Sequence, residues 1–237
     1  MSAPMTDSPA GLNPIRTHGK FTDAAYVAIR TGIRMGRILP GTRLHEAELA
    51  LQLGTSKTPV REALGRLVSD GLATITPGGK SAVYVARLSN KETIDLYDAR
   101  EIIEPPLSRL AAERASDEDV HALKGILDSF EAALEMDDVY SMMELDSQYH
   151  AMIAAIADNR ALAQARERLD NSIAIARVTS VQNGHYRISA LALREHTGLY
   201  EAIAEHDGET AARRMSEHIR RRRDDLIAKL AGTTREG

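Results

Sequence analysis

Apolar side chains recur at steps of three and four residues along most of the chain, a spacing typical of amphipathic helices. The first such segment, which contains Ile29 and Ile33, ends near residues 39–42, and a second covers residues 46–53. Residues 54–56 leave a turn of three residues before the next segment. A helix-turn-helix requires this spacing, so the pattern predicts one here.

The third amphipathic segment has well-marked ends. We predict that the Thr58 hydroxyl caps it and that Pro59 takes the first helical position, where its missing N–H costs nothing. Gly71 predicts its end. The positions of the buried face are Val60, Leu64, Leu67 and Val68. The polar positions left facing outward near the start are Lys57, Thr58, Arg61 and Glu62.

Two runs rich in β-branched residues follow, at residues 72–76 and 82–86. Residues 77–81 contain Pro77, Gly78 and Gly79, which are typical of a tight connection between strands. The sequence therefore predicts a hairpin directly after the third helix. Together these elements form a winged helix-turn-helix.

The remainder of the chain, from Ser89 onward, has the pattern of about six helices and no convincing strand. Residues 89–92 and 116–119 have the sequence of capping boxes, which start the first two helices. The predicted helices cover residues 90–114, 117–135, 138–157, 160–181, 187–206 and 208–231. Because the links between them are short, the prediction is an antiparallel bundle. The fold class is mainly α, with an N-terminal winged helix-turn-helix and a C-terminal all-helical bundle.

Charge divides the chain at the same place. Residues 20–88 contain ten basic residues (Lys and Arg) and five acidic residues (Asp and Glu). Residues 89–237 contain nineteen basic and twenty-eight acidic residues. Only the first part can neutralise the phosphates of a polyanion. We therefore predict a disordered tail at residues 1–19, a DNA-binding domain at 20–88 and a second domain at 89–232. The alternative is a basic surface that is merely solvated.

Several protein classes are excluded by composition. The chain has no cysteine, so it has neither disulfides nor thiolate metal sites. It lacks tryptophan, which argues against an aromatic platform for single-stranded nucleic acid. No apolar run has the length of a membrane span, and no signal peptide is present, so we expect a cytoplasmic protein without a membrane partner.

One group of residues in the second domain has metal-binding chemistry. Asp146 and His150 are four residues apart and project from one helix face. His196 and His218 each lie eleven residues from Asp207, so in an antiparallel hairpin they sit at one level. All four lie at a comparable depth and adjoin apolar positions. We predict that they converge inside the bundle, where they need partners.

A divalent cation satisfies all four residues together. With His and carboxylate ligands and no thiolate, Zn²⁺ is the leading candidate, and Ni²⁺ or Mn²⁺ is possible. Four protein ligands in an octahedral arrangement would leave two positions open. The alternative for any single histidine is a core residue bonded to a neighbour. The run Arg220–Arg223 is predicted to be a solvated face, since acidic residues flank it.

The N-terminal part resembles the DNA-binding domain of GntR-family bacterial transcription regulators over about residues 20–88. The resemblance is carried by Pro40-Gly-Thr-Arg-Leu, by Thr58-Pro-Val-Arg-Glu-Ala-Leu-Gly-Arg-Leu and by Asp70-Gly-Leu. It implies operator contacts from Ser56, Lys57, Thr58 and Arg61, with Gly78, Gly79 and Lys80 at the wing tip. Many FadR-like members have an arginine where this chain has Ala47. That base contact is therefore expected either to be absent or to be taken over by Arg43.

The second domain resembles the FCD effector domain of FadR-like GntR regulators over most of residues 90–230. The resemblance is carried by Asp-x-x-x-His at 146–150, by two histidines twenty-two residues apart and by the segment 96–104. It implies that Asp146, His150, His196 and His218 are metal ligands, and that the effector is a small carboxylate such as a sugar acid or hydroxy acid.

Three further residues are candidates for contacts with the effector. By similarity, Arg100 faces inward and pairs with the carboxylate of the effector; the equal alternative is a salt bridge with Glu104. Asn171 and Arg177 are candidates to line the same cavity from the fourth helix of the domain.

The sequence thus predicts a homodimeric regulator that reads a pseudopalindromic operator in double-stranded DNA and responds to the effector. The first helix of the bundle, joined to the wing through residues 87–90, is the expected link between the two sites. One alternative is a metal-dependent hydrolase or lyase that acts on a small carboxylic acid. Glu195 and Glu217 are the candidate bases, but each is adjacent to a predicted ligand and therefore projects from a different face of its helix. Another is a purely structural metal.

Overall fold

A computed structural model describes residues 18–76, 82–182 and 190–233, and in these ranges the chain forms helices joined by short turns and one small sheet. Residues 1–17 of the predicted tail at 1–19 and the wing tip residues Gly78, Gly79 and Lys80 lie outside the described residues, whereas residues 18 and 19 belong to a helix rather than to a disordered tail. No described helix has a stretch long and apolar enough to cross a bilayer.

The N-terminal domain is the predicted winged helix-turn-helix. Its elements are α1 (His18–Arg34), β1 (Arg43–Leu44), α2 (Glu46–Gln52), α3 (Lys57–Ser69), β2 (Ala73–Ile75) and β3 (Val83–Val85). In the turn between α2 and α3, Gly54 has φ +62°, a conformation that glycine adopts without strain. Gly71, with φ +73°, ends α3 as predicted.

The start of α3 differs from the prediction. Ser56, not Thr58, occupies the cap position, and no side-chain hydrogen bond caps the helix. Pro59 is the third helical residue, which is compatible with the helix because the first turn has no backbone partners for its N–H groups. The apolar face is as expected, since Val60, Leu64 and Leu67 are buried.

A strand that the sequence pattern did not reveal completes the wing. The sheet order is β1-β3-β2 and both pairs are antiparallel, with Arg43 and Thr74 on either side of Tyr84. β1 has only two residues, and two residues are too few for an alternating pattern to be recognised. Its pairing places Arg43 at the base of the wing.

The C-terminal domain is a helical bundle. Its helices are α4 (Asn90–Arg114), α5 (Asp117–Glu135), α6 (Val139–Ile156), α7 (Arg160–Glu167), α8 (Asp170–Gln182), α9 (Ala190–Ala204) and α10 (Gly208–Thr233). Ser89 and Ser116 form the predicted capping boxes with Glu92 and Asp119. The prolines at 105 and 106 lie inside α4, which continues through both.

The predicted helix at residues 160–181 is in fact two helices, so the described bundle has seven rather than six. α7 packs on α4 and α6, whereas α8 also packs on α1 of the N-terminal domain. Ile175 of α8 is a member of the apolar core of that domain. The chain turns between the two helices at residues 168–169.

Candidate metal centre

Three helices bring the four predicted ligand residues together inside the bundle. α6 contributes Asp146 and His150, α9 contributes His196 and α10 contributes His218, and none is more than 4 % exposed. One ligand atom from each of the four lies within 4.8 Å of those from the others. The four residues therefore converge inside the bundle, as their positions in the sequence predict.

Three ring nitrogens of this group have no hydrogen-bond partner. Nε2 of His150 and both ring nitrogens of His196 are buried without a hydrogen bond. Nε2 of His196 lies 3.4 Å from a carboxylate oxygen of Asp146, and Nε2 of His150 lies 3.9 Å from the same oxygen. Buried polar atoms without partners are costly. Their arrangement around one point fits a metal ion bound through imidazole and carboxylate groups.

Two glutamates support the imidazoles from behind. Nδ1 of His150 donates to Glu104 over 2.6 Å, and Nδ1 of His218 donates to Glu195 over 2.9 Å. Because these bonds occupy Nδ1, Nε2 is the nitrogen of each ring that can bind a metal. Metal-binding histidines commonly have such a carboxylate partner, which fixes the tautomer and orients the ring.

Both glutamates were missed as partners of the site in the sequence. Glu195 was expected to face away because it is adjacent to His196, but it reaches His218 of the neighbouring helix α10. From the sequence, Glu104 is predicted only as a salt-bridge partner of Arg100. Its spacing from the histidines in sequence carries no signal, because the contact with His150 joins α4 to α6 across 46 residues.

Burial and neighbouring charges set the ionisation of the group. Burial holds the pKa of His196 well below its ordinary value and lowers the pKa of His218 to about 4. The Arg177 guanidinium, with smaller contributions from the imidazoles, keeps the pKa of Asp146 below its ordinary range despite burial. At neutral pH the site therefore presents a carboxylate and two neutral imidazoles from His196 and His218, which are the forms that bind metals.

The predicted effector residues have different surroundings. Arg100 is buried and forms the salt bridge with Glu104, at 2.6 Å. Arg177 contacts the Asp146 carboxylate and the Ser147 hydroxyl, so it lies directly beside the ligand group. Asn171 instead donates to the backbone oxygen of Asp70, over 3.0 Å, at the end of α3. Its amide is therefore engaged at the boundary between the two domains.

Five of the predicted DNA-contacting residues fall within the part of the chain that the structure describes, and all five are exposed. Ser56, Lys57, Thr58 and Arg61 are exposed at the start of α3, and Arg43 is exposed on β1. Arg61 makes a bidentate contact with Glu46 of α2, at 2.7 and 2.8 Å. This contact orients the guanidinium group toward the side of α3 that meets α2.

Two family models match the chain. The model described as "Bacterial regulatory proteins, gntR family" matches residues 21–83, and the model described as "FCD domain" matches residues 95–221. The second match alone spans more than half of the chain and contains all four predicted ligand residues.

Curated relatives agree with both matches. The Nta operon transcriptional regulator of Aminobacter aminovorans is 29% identical over 203 residues, which cover 83% of this chain and 90% of that protein. The HTH-type transcriptional repressor RspR of Escherichia coli is 29% identical over 208 residues, 88% of each chain. The repressor GlaR of the same species is 28% identical over 200 residues, 82% of this chain and 90% of that protein.

Solved structures have the same fold. Escherichia coli McbR/YncC has a TM-score of 0.76 at 22% identity and covers 89% of this chain and 98% of its own. A putative GntR regulator from Rhodococcus has a TM-score of 0.75 at 20% identity, with the same coverage. At these identities the likeness concerns the fold. The two family matches show that the chain belongs to the GntR family of bacterial transcription regulators and has an FCD domain.

Proposed function

We propose that this DNA-binding transcription regulator holds a divalent metal ion through Asp146, His150, His196 and His218, and that a small carboxylic acid bound there controls its affinity for an operator. The observation that carries the proposal is the set of buried ring nitrogens without partners around the Asp146 carboxylate. Zn²⁺ is the leading ion, with Ni²⁺ and Mn²⁺ as alternatives.

The roles of the protein groups follow from their contacts. Glu104 and Glu195 fix the rings of His150 and His218 so that Nε2 of each is available as a ligand. When bound, the ion supplies a positive charge and coordination positions to which a carboxylate can attach. Arg177 contacts Asp146 and can also pair with the carboxylate of a bound acid. Arg100 can do the same if its guanidinium binds Glu104 and the acid together.

The DNA-binding role is proposed to use a homodimer. Two winged domains read the halves of a pseudopalindrome, with Lys57, Thr58 and Arg61 at the groove and Arg43 beside them. Ser56 and the wing tip residues 78–80 complete the proposed contacts. The relatives RspR and GlaR are named as repressors, which favours repression as the mode of action here.

Fluorescence anisotropy on the promoter region of the protein's own gene tests the proposal. The operator Kd is measured for metal-stripped protein and for protein loaded with Zn²⁺, Ni²⁺ or Mn²⁺, each with and without lactate, malate or gluconate. We expect at least one acid to change the Kd about tenfold, corresponding to 1.4 kcal/mol of coupling, and only when metal is present.

A matched pair of variants makes the result specific. His196→Ala removes a buried ligand residue and should abolish the response to the acid, whereas His121→Ala removes an exposed histidine of α5 and should retain it. An acid response that is equal with and without metal contradicts the proposal. A chelator that lowers the Tm without changing the acid response would show that the metal is structural, and turnover of the acid without any DNA response would favour an enzyme.

A further inference from the structure

Arg61 of α3 and Glu46 of α2 form a side-on ion pair at the surface of the winged helix-turn-helix. Nε of Arg61 donates to one carboxylate oxygen of Glu46 over 2.8 Å, and Nη2 donates to the other over 2.7 Å. These two bonds occupy one edge of the planar guanidinium group. The remaining N–H groups, on Nη1 and Nη2, form the end edge of the guanidinium and have no partner among the described residues.

Most of the Arg61 side chain remains open to solvent despite this contact. It is 69 % exposed, whereas the side chain of Glu46 is 33 % exposed. At about 100° per residue, Arg61 lies between Lys57 and Gly65 around the axis of α3, and these two residues are also exposed. The guanidinium is therefore held by the protein at one edge and accessible to a partner.

Gly65, one turn beyond Arg61 on the same side of α3, leaves room for such a partner. Glycine inside a helix is less stable than alanine. A Cβ atom at Gly65 would meet no neighbouring atom of the described residues within 4 Å, so packing within this part of the protein does not require a glycine. The missing side chain allows another surface to approach α3 closely beside Arg61.

Stability does not account for the ion pair. Exposed ion pairs contribute little to the free energy of unfolding, because water screens the charges and two side chains lose conformational freedom. A carboxylate on a surface that is proposed to meet DNA also repels the phosphates. The effect of Glu46 that remains is the orientation of Arg61.

The free edge of Arg61 has the geometry that distinguishes guanine. In the major groove guanine presents two acceptors, O6 and N7, to which two parallel N–H groups of an arginine can donate. Adenine presents one acceptor and one donor there, thymine one acceptor and a methyl group, and cytosine a donor. Nη1 and Nη2 provide the parallel pair while Nε and Nη2 still donate to Glu46. Both contacts can therefore exist at once.

We propose that Arg61 reads a guanine in each half of the operator through its end edge, and that Glu46 is the positioning residue that fixes the guanidinium for this contact. The inference rests on the DNA-binding part of the proposed function and is independent of the metal centre. Glu46 acts through Arg61 and does not itself touch the base. Because the guanidinium is fixed before DNA binds, less side-chain entropy is lost when the contact forms.

Selection from a library of duplexes with a randomised central segment tests this inference. Full-length wild-type protein and the variants Arg61→Lys and Glu46→Ala are selected under the metal and acid condition in which the wild-type protein binds DNA most tightly. Arg61→Lys keeps the charge but loses the pair of parallel donors, so the guanine preference that it loses identifies the base that Arg61 reads. We expect Glu46→Ala to lose the preference at that same position and at no other.

Fluorescence anisotropy on the selected site measures the size of the effect. Replacing the identified guanine by 7-deazaguanine removes the N7 acceptor and should weaken wild-type binding about tenfold. The same replacement should weaken binding of Glu46→Ala less than about threefold, because the interaction between the base and Arg61 is already impaired.

Glu48→Ala is the matched control, since both glutamates lie in the first turn of α2 and Glu48 is exposed. Each alanine variant loses one negative charge, so both should bind unrelated DNA slightly more tightly than the wild-type protein does. Glu48→Ala should nevertheless keep the wild-type sensitivity to 7-deazaguanine. Tm is measured for all variants and should change little, because the ion pair is exposed.

The outcomes separate this inference from the proposed function. Equal sensitivity of wild-type protein and Glu46→Ala to 7-deazaguanine overturns the role of Glu46, and so does a loss of preference that is spread over all positions of the site. If Arg61→Lys loses no guanine preference, Arg61 contacts the phosphates and the inference is wrong. If the wild-type protein selects no sequence and binds its own promoter region no more tightly than unrelated DNA, the DNA-binding part of the proposed function fails and the inference fails with it.

Discussion

Ile175 and Arg177 are two residues apart on α8 and serve different domains. Ile175 is 1 % exposed and belongs to the apolar core of the N-terminal domain, whereas Arg177 contacts Asp146 and Ser147 of the bundle. The same short helix is thus packed into the DNA-binding domain and joined to the candidate metal centre. If α8 has two placements in the fold and an effector binds one of them more tightly, the effector favours that placement. The DNA-binding domain, which is packed on α8, then moves with it.

Removing the hydrogen bond of Asn171 should weaken this connection. In Asn171→Ala the α8 side chain no longer donates to the Asp70 carbonyl at the end of α3. A single hydrogen bond is worth about 0.5–1.5 kcal/mol, so the ratio of operator affinities with and without effector should fall by about twofold to tenfold. Anisotropy measures this ratio, and calorimetry checks that metal and acid still bind as in the wild-type protein.

Gln148→Ala is the control for this variant. Gln148 is exposed on α6 and contacts Glu144 of the same helix, so its loss leaves the domain boundary intact. An unchanged effector response in Asn171→Ala would contradict a role of this contact in transmission.

The sequence predicted much of this arrangement because the relevant signals are local. Ser89 and Ser116 begin helices through bonds to residues three positions away, and Gly71 ends α3 through its own backbone conformation. Asp146 and His150 share a helix face for the same reason. His196 and His218 could be placed because a short link between two helices fixes their relative depth.

Features that depend on contacts between distant segments were not predicted. After the break from α7, α8 packs Ile175 into the core of the other domain, a contact between segments that are far apart in the sequence. Glu104 and Glu195 join the site across helices. Periodicity within one segment contains no information about these partners.

Metal binding should stabilise the fold measurably. At a free metal concentration of about 100 times Kd, binding to the folded state alone adds about 2.7 kcal/mol, which raises the Tm of a chain of this size by about 5–10 °C. Differential scanning fluorimetry with Zn²⁺ after chelation measures the shift. His150→Ala should lose it and His121→Ala should retain it; a shift of equal size in both variants would place the metal elsewhere.

Substitutions of Glu195 and Glu217 test whether the hydrogen bond from His218 to the Glu195 carboxylate contributes to metal binding. Glu195→Gln replaces the carboxylate that accepts from His218, and we expect metal affinity to fall by about 10–100-fold. Glu217 is exposed and contacts Arg213, so Glu217→Gln should leave the affinity unchanged. Competition with a chromophoric chelator gives both values, and equal affinities would show that the orientation of the His218 ring does not need the carboxylate.

The metal-free protein should lose stability as the pH falls from neutral. His218 has a pKa of about 4 in the fold and about 6.5 when unfolded, so the unfolded state binds the proton first. The contribution of His218 to the free energy of unfolding is therefore present above pH 6.5 and is lost progressively down to pH 4. About 2 kcal/mol is lost between pH 7 and pH 5. Urea unfolding at the two pH values measures this, and His218→Gln should show a smaller loss than His121→Gln.

Lys57 should contribute to DNA affinity through phosphate neutralisation. It is exposed at the start of α3, where the N–H groups of the first turn also favour an anion. Lys57→Gln should weaken binding to operator and unrelated DNA alike, and should reduce the slope of log K against log salt by about 0.9. Lys91→Gln removes a charge that is paired with Asp95 on α4, and it should leave the slope unchanged. If Lys57→Gln weakens only operator binding and keeps the wild-type slope, Lys57 reads a base rather than the backbone.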